Sequence, residues 1–83
     1  MQDEIAVLTE YIRSETGVQS EIDADTDLLK SAILDSFSIV ALAMFAQERF
    51  GIEFDPDDLT RDNLARLSSL AALIQRRRDS RAA

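Results

Sequence analysis

The sequence predicts an all-α protein, an irregular four-helix bundle with three longer helices, one short helix and a long first loop. Apolar residues recur at helical spacing in three separate segments. The chain has 83 residues, of which 46% are hydrophobic, and this is enough for one compact core. Two Gly and one Pro are few for an all-β protein, whose many turns need them. We therefore expect a single domain over residues 1–78 and a frayed basic tail over residues 79–83.

The first helix is predicted from about Asp3 to Glu15. Ile5, Leu8 and Ile12 fall on one of its faces at the i, i+3, i+7 spacing. Gly17 follows the last residue of this pattern, and glycine commonly ends a helix because it adopts a left-handed backbone without strain. The first helix is therefore expected to bury one apolar face and to end before Gly17.

A long acidic connection is predicted from about Val18 to Leu34. A loop of this length in so small a domain is unusual unless it packs through apolar residues of its own. We expect four residues to anchor it: Leu28, Leu29, Ile33 and Leu34. Asp23, Asp25 and Asp27 alternate as in a calcium loop, but the Gly and Glu that such a loop needs are missing. Calcium binding is therefore not expected.

The second helix is predicted to begin at Asp35 or Ser36 and to end near Phe50, with Gly51 as its stop. A short connection over residues 52–54 follows, and Asp55-Pro56-Asp57-Asp58 then has the pattern of a helix start. A brief turn or helix over residues 56–64 is predicted there. The last helix is predicted from a stripe of apolar residues at the i, i+3, i+4, i+7 spacing: Leu67, Leu70, Ala71 and Ile74.

The net charge of −7 is unevenly distributed along the chain. Residues 1–62 hold 15 acidic and 4 basic side chains, whereas residues 63–83 hold 1 acidic and 5 basic ones. An acidic body repels the phosphate backbone of nucleic acid, so nucleic acid is not an expected partner. We expect the basic residues Arg76-Arg77-Arg78 and Arg81 to complement the dipole of the last helix.

Cysteine and histidine are both absent from the sequence. Disulfides, thiolate metal sites and histidine metal sites are therefore excluded, and we expect no bound metal. The first residues, Met1-Gln2-Asp3-Glu4, are acidic where a signal peptide would be basic, and no apolar run is long enough to span a bilayer. The expected localisation is cytoplasmic.

The tetrapeptide Leu34-Asp35-Ser36-Phe37 places a serine hydroxyl on the first turn of an apolar helix. Without a histidine to take its proton, Ser36 is a poor candidate for a conventional nucleophile. A helix start does suit a covalently attached anion, because free N–H groups and the positive end of the dipole lie there. Taken alone, the Asp-Ser pair is weak evidence for a cofactor, because Asp is a favoured helix cap and most such pairs carry no cofactor.

The longer pattern around this pair resembles acyl and peptidyl carrier proteins. It comprises Asp27-Leu28-Leu29, then Leu34-Asp35-Ser36-Phe37-Ser38-Ile39-Val40, then Phe50-Gly51-Ile52, and last the Asp-rich turn Asp55-Pro56-Asp57-Asp58-Leu59 with Asp62-Asn63-Leu64. The resemblance covers most of the chain. It implies that Ser36 receives a 4'-phosphopantetheine arm from coenzyme A through a phosphopantetheinyl transferase. It also implies that the protein is not an enzyme but presents an acyl or aminoacyl thioester to separate enzymes.

The sequence departs from the family pattern just before the Asp-Ser pair. Many family members have Gly there, whereas this chain has Ile33 and Leu34, with Ala32 further back. The Asp-Ser-Phe form resembles discrete carriers of polyketide and nonribosomal peptide assembly, and also D-alanyl carrier proteins of cell-wall modification. We expect the first of these roles, with the D-alanyl carrier second and a fatty-acid carrier third.

The second helix has few charges: between Ser36 and Phe50 these are Glu48 and Arg49. At 100° per residue one face is assigned to the core: Ile39, Leu42, Ala43, Ala46 and Phe50. A second apolar patch lies beside Ser36: Phe37, Val40, Ala41 and Met44. One interpretation is a fully buried helix. Full burial is hard to achieve in so small a bundle, so we expect an exposed patch where the transferase, the loading enzyme and downstream transferases dock on a monomeric carrier.

Two functions from other classes remain open at this stage. An unmodified helical adaptor would use the apolar patch and would tolerate Ser36→Ala. A hydrolase or transferase that used Ser36 would need Lys30 as an unconventional base, and the chain has no oxyanion-hole signature. Two further groups have plainer structural roles. Tyr11 is expected to be a partly buried helix residue, and the Asp55–Asp58 turn is expected to cap a helix or, more weakly, to bind a cation.

Overall fold

The computed structural model describes residues 2–18 and 22–82 of the chain. It contains α1 (Gln2–Thr16), α2 (Ser36–Phe50), a short 3-10 helix (Pro56–Asp58), α3 (Arg61–Leu64) and α4 (Leu67–Ala82). Within these ranges the chain forms no strand. The predicted all-α bundle of three longer helices and one short helix is confirmed. Residues 19–21 of the predicted acidic connection, Met1, Ala83 and the side chain of Arg81 lie outside the description.

The three long helices surround one apolar core. Helix α1 packs against α2 and α4, and α2 also contacts α4. The largest fully buried side chains are Leu8, Ile12, Leu28, Leu42, Leu67, Leu70, Leu73 and Ile74. Leu8 and Ile12 belong to the predicted face of α1, and Ile5 packs against the core while only partly buried. At about 1.5–3 kcal/mol for each fully buried aliphatic side chain, this set is the main favourable contribution to folding.

Both glycines end helices, as the sequence predicted. Gly17 has φ +72° and donates its N–H to the Arg13 carbonyl oxygen at 2.8 Å, which closes α1. Gly51 has φ +65° and donates its N–H to the carbonyl oxygen of Gln47, which closes α2. Residues with a Cβ rarely adopt this backbone conformation, so these two positions explain the use of glycine there.

The long first loop is held in place by its own apolar residues and by hydrogen bonds to the far end of the chain. Leu28 and Leu34 are buried, while Leu29 and Ile33 pack against the core from partly exposed positions. The Leu28 N–H donates to the Ala65 carbonyl oxygen at 2.7 Å, and the Ser68 N–H donates to the Ala24 carbonyl oxygen at 2.9 Å. The four expected anchors are confirmed, and the loop is fastened to the junction between α3 and α4.

Arginines of α4 form tertiary ion pairs that the helix-dipole argument did not predict. Arg77 pairs with Asp58 and, at 2.9 Å, with Asp55, so α4 is joined to the segment that contains the 3-10 helix. Arg78 pairs with the buried Glu4 of α1 at 3.3 Å. Its guanidinium also lies 5.5 Å from the centre of the Phe50 ring. These basic residues therefore connect distant elements besides standing at the end of a helix.

Candidate functional site

Helix α2 begins at the residue that the sequence singled out. Asp35 is its N-cap, with φ −100° and ψ −176°, and the Asp35 side chain accepts a hydrogen bond from the Ser38 N–H at 2.7 Å. Ser36 is then the first helical residue, and it is exposed. An aspartate is favoured at this position because its carboxylate satisfies an amide that has no partner within the helix.

Hydrogen bonds to the Asp35 carboxylate also fix its charge. The Ser38 backbone N–H, followed by the Ser38 side chain, holds the pKa of Asp35 below its usual value of 3.8. Asp35 is consequently ionised at neutral pH. The first turn of α2 thus carries a negative charge at neutral pH beside an exposed hydroxyl.

A solvent-open pocket of about 380 Å³ lies beside Ser36. Its lining comes from the end of the first loop, the start of α2 and the start of α3: Leu29, Ala32, Leu34, Asp35, Ser36 and Arg61. This volume is at the low end of the roughly 300–1,000 Å³ typical of ligand pockets. Arg61 is the cationic group among these lining residues. Sequence reasoning did not associate Arg61 with Ser36, because 25 positions separate them and the pairing depends on how the loop folds.

Asp27 and Ala32 shape the part of the first loop that contributes to the lining of this pocket. The Asp27 carboxylate accepts hydrogen bonds from the N–H groups of Lys30 at 2.9 Å and Leu29 at 3.0 Å. The Lys30 bond is the main reason why the pKa of Asp27 lies below its usual value, with Arg61 a smaller cause. Ala32 has φ +61°, a left-handed conformation that is unfavourable for a residue with a Cβ. The sequence did not predict this backbone conformation.

The two faces of α2 are arranged as the apolar pattern predicted. On the core side Ile39, Leu42, Ala43 and Ala46 are buried, while Phe50 is half-buried and packs against the core. On the other side the exposed fractions of Phe37, Met44 and Val40 are 87%, 62% and 51%, and Ala41 is exposed as well. We call Phe37, Val40, Ala41 and Met44 the α2 patch. The alternative of a fully buried helix is wrong.

The acidic groups that were considered for cation binding have structural partners. Asp55 donates its N–H to the Asp58 carboxylate at 2.9 Å, and both carboxylates pair with Arg77. Asp25 accepts a hydrogen bond from the Ser68 hydroxyl at 3.0 Å. In the described ranges, no three His, Cys, Asp or Glu side chains are grouped so as to hold a metal ion.

Tyr11 has a packing role in α1. Its ring stacks on that of Phe45 of α2, with 4.1 Å between the ring centres and an angle of 19° between the planes. Partial burial, and to a smaller extent the charge of Glu15, raises the pKa of Tyr11 above 10.0. Tyr11 therefore fits the expected role of a partly buried helix residue.

None of the helices in the described part of the chain combines the length and the apolar character that a bilayer-spanning segment needs.

Comparison with known proteins identifies one family over most of the sequence. The model of the family described as "Phosphopantetheine attachment site" matches residues 6–75. The search of curated proteins gives no match. Among solved structures, this chain is similar to a chain in one described as "Crystal structure of FAD-dependent dehydrogenase", with 28% sequence identity and a TM-score of 0.68. That likeness covers 81% of this chain and 97% of the other chain.

Proposed function

We propose that Ser36 carries the 4'-phosphopantetheine arm of this chain, which belongs to the family of the phosphopantetheine attachment site. The chain is therefore a carrier with a covalent arm and not an enzyme. The observation that carries this proposal is the position of Ser36, exposed on the first turn of a 15-residue helix. The hydroxyl is accessible there to a transferase. It is also at the rim of the bundle, from which an attached arm can reach other proteins.

The residues around Ser36 are compatible with this group. A phosphodiester at the start of α2 lies at the positive end of the helix dipole, where an anion is favoured. Arg61 in the adjoining pocket adds a positive charge. When attached, the arm supplies a thiol, a group that this chain without cysteine cannot provide. The chain itself supplies the hydroxyl, a rigid helix start and the surface that partner enzymes bind.

Intact-protein mass tests the assignment of Ser36. The chain is incubated with coenzyme A and a phosphopantetheinyl transferase of broad specificity, beside the variants Ser36→Ala and Ser38→Ala. Ser38 is a matched control because it lies in the same turn of α2. We expect wild type and Ser38→Ala to gain one phosphopantetheine and Ser36→Ala to gain none. Modification of Ser36→Ala would assign the arm to another residue.

An unmodified adaptor is the competing proposal from another class, and the same variants distinguish the two. The adaptor would retain its biological function with Ser36→Ala, because it uses the α2 patch alone. The carrier would lose function completely with Ser36→Ala, because the cargo has no attachment point. Complementation of a deletion strain with each variant, at equal protein level, provides this comparison.

We further propose that the chain is a discrete carrier of acyl or aminoacyl thioesters in polyketide or nonribosomal peptide biosynthesis. The Asp-Ser-Phe form and the charge-poor α2 support this role over that of a fatty-acid carrier. A D-alanyl carrier of cell-wall modification is the alternative. The arm-bearing protein is incubated separately with amino-acid-activating enzymes, with acyltransferases and with a D-alanine-activating ligase. The intact mass after each incubation shows which enzyme loads it and so separates these roles.

We also propose a location, an oligomeric state and a domain boundary for the protein. We propose that it acts in the cytoplasm as a monomer, where coenzyme A and the partner enzymes are available. Residues 1–78 are proposed as the carrier domain and residues 79–83 as its tail. Size-exclusion chromatography with light scattering tests the monomer, and truncation after residue 78 with unchanged modification tests the boundary.

An FAD-dependent dehydrogenase is a specific candidate among the partner enzymes. The support is the similar chain in the structure described by that name. The likeness covers 97% of that chain and 81% of this one. That chain is therefore a small domain of about the same size. Such an enzyme would oxidise the carried acyl group and reduce its own FAD. To test this partner, the loaded carrier is mixed with flavin dehydrogenases. Flavin absorbance follows reduction of the FAD, and the mass of the cargo shows whether two hydrogens are lost.

A further inference from the structure

Arg61 and Ser36 line the same pocket although they belong to different helices. Ser36 begins α2, and Arg61 begins α3. The loop between α1 and α2 contributes three apolar residues to the lining: Leu29, Ala32 and Leu34. The pocket therefore combines one cation, the Asp35 carboxylate, one exposed hydroxyl and three apolar side chains.

This combination matches the chemistry of the first part of a phosphopantetheine arm. The bond to serine is a phosphodiester with one negative charge, and the next segment of the arm has a carbon that bears two methyl groups. A guanidinium binds phosphate oxygens through directed N–H donors and stays protonated at every relevant pH. Covering the two methyl groups with apolar side chains removes them from water, which is favourable.

The charges around Ser36 favour a cation there. The Asp35 carboxylate is adjacent in sequence and is ionised, and residues 1–62 carry a large excess of acidic groups. A second negative charge on Ser36 is repelled by Asp35 unless a positive group offsets it. Arg61 is the positive group that the described structure places in this pocket.

Arg61 is free to make this contact without loss of its present one. Its guanidinium lies 3.7 Å from the Asp27 carboxylate, and 58% of its side chain is exposed. A guanidinium has five N–H donors, so one side chain can serve a carboxylate and a phosphate together. Asp27 is also held by the N–H groups of Leu29 and Lys30, and it stays in place if Arg61 moves.

We propose that this pocket is a seat for the proximal part of the chain's own arm, in which Arg61 binds the phosphodiester and Leu29, Ala32 and Leu34 cover the two methyl groups. The proposal rests on attachment of the arm to Ser36. It goes beyond that attachment because it gives the arm a defined direction over the loop and α3, away from the α2 patch.

Nuclear magnetic resonance of the arm-bearing protein tests the seat. The arm is prepared with ¹³C in the two methyl groups, and attachment is first verified by intact mass. We expect nuclear Overhauser contacts from these methyl groups to Leu29, Ala32 and Leu34. We also expect the ³¹P resonance of the phosphodiester and the Nε–Hε resonance of Arg61 to shift with added salt as the ion pair is screened.

Variants at Arg61 identify the group responsible. Arg61→Gln removes the charge, Arg61→Lys keeps it without the planar donor set, and Arg13→Gln is the control at an exposed arginine of α1. We expect the methyl contacts to be lost in Arg61→Gln, to be weakened in Arg61→Lys and to be unchanged in Arg13→Gln. Circular dichroism establishes that each variant remains folded, and this is expected because Arg61 is mostly exposed.

Two results overturn the proposal in different ways. In the first, the protein gains the arm on Ser36, but the methyl groups show no contacts with the pocket or show the same contacts in Arg61→Gln. There is then no seat of this kind, while the carrier function stands. A protein that gains no mass, or gains it at another residue, overturns both the seat and the attachment to Ser36.

Discussion

The Asp35 carboxylate accepts a hydrogen bond at 2.7 Å from the backbone N–H of Ser38, and this bond spans Ser36, the proposed attachment residue. The bond starts α2 at Ser36 and fixes the backbone of its first turn. A cap of this kind is a local device, because donor and acceptor are three residues apart. The same three residues thus define both the start of the helix and the position of the hydroxyl.

The first prediction concerns this cap. Asp35→Ala removes the acceptor for the Ser38 N–H, so we expect a lower thermal midpoint and slower gain of phosphopantetheine. Asp35→Asn keeps a side-chain oxygen that caps the helix but loses the charge, so its midpoint should lie between those of wild type and Asp35→Ala. Thermal circular dichroism and timed mass spectra measure the two effects. Equal midpoints for all three proteins would contradict the cap's contribution to stability.

The second prediction concerns pH. The pKa values of Asp27 and Asp35 are lowered in the folded protein, chiefly by hydrogen bonds from the N–H groups of Lys30 and Ser38 respectively. Between the folded and unfolded pKa values the unfolded chain binds more protons, so the free energy of unfolding falls as the pH decreases. We expect the loss to begin near the ordinary carboxyl pKa of 3.8 and to continue below it.

Urea unfolding at a series of pH values from neutral to about pH 3 measures this dependence. Asp27→Asn keeps an oxygen acceptor for the two amide donors but has no charge to lose. Its free energy of unfolding should therefore decrease less on acidification than that of wild type. A variant that is as acid-sensitive as wild type would show that Asp27 does not contribute.

The third prediction separates the two faces of α2. Leu42 is fully buried and Met44 is 62% exposed. Leu42→Ala should lower the free energy of unfolding by about 2–5 kcal/mol, because it removes buried methyl groups and leaves a cavity. Met44→Ala should change it by less than about 0.5 kcal/mol. Chemical denaturation gives both values, and similar losses at the two positions would contradict the assignment of the faces.

The fourth prediction concerns docking on the α2 patch. Phe37→Ala should reduce kcat/KM for loading of the carrier by its partner enzyme about 10-fold, the effect of losing roughly 1.4 kcal/mol from a binding contact. Leu59→Ala is the matched control, since Leu59 is another exposed large apolar residue, 48% exposed, but lies outside α2. A larger loss in Phe37→Ala than in Leu59→Ala supports the patch, and an equal or smaller loss would argue against it.

The fifth prediction concerns the strained backbone at Ala32. Its φ of +61° is costly for alanine but natural for glycine. Ala32→Gly should raise the free energy of unfolding by up to about 1 kcal/mol, because relief of the left-handed strain exceeds the extra entropy of glycine in the unfolded chain. Denaturation of this variant beside Ala24→Gly, a substitution elsewhere in the same loop, measures the difference. A loss of stability in Ala32→Gly would contradict the strain.

The helices and their ends could be predicted because their signals are local. Each signal lies within, or a few residues from, the element that it defines. These signals are the cap Asp35, the stops Gly17 and Gly51, and the α4 stripe of Leu67, Leu70 and Ile74. The division of α2 into a core face and an exposed patch was equally predictable. It follows from the 100° rotation per residue and from the small size of the bundle.

The pocket beside Ser36 could not be predicted in the same way. It needs Arg61 of α3 near the start of α2, and this proximity depends on how the first loop is bonded to Ala65 and Ser68. The ion pairs of Arg77 and Arg78 are similar cases. Their partners Asp58 and Glu4 are 19 and 74 positions away in the sequence.

The sequence by itself determined the all-α class, the order of the helices, the exposed serine at the start of α2 and the likeness to carrier proteins. These depend on periodicity, caps and a linear motif, which act over one or two helical turns. Tertiary structure alone decided that Arg61 joins Ser36 in one pocket, that Ala32 adopts a left-handed backbone and that the arginines of α4 hold α1 and the Asp55–Asp58 segment. The physical reason is that charges and pocket walls interact through space, so their partners are set by how the helices pack and by the path of the loop.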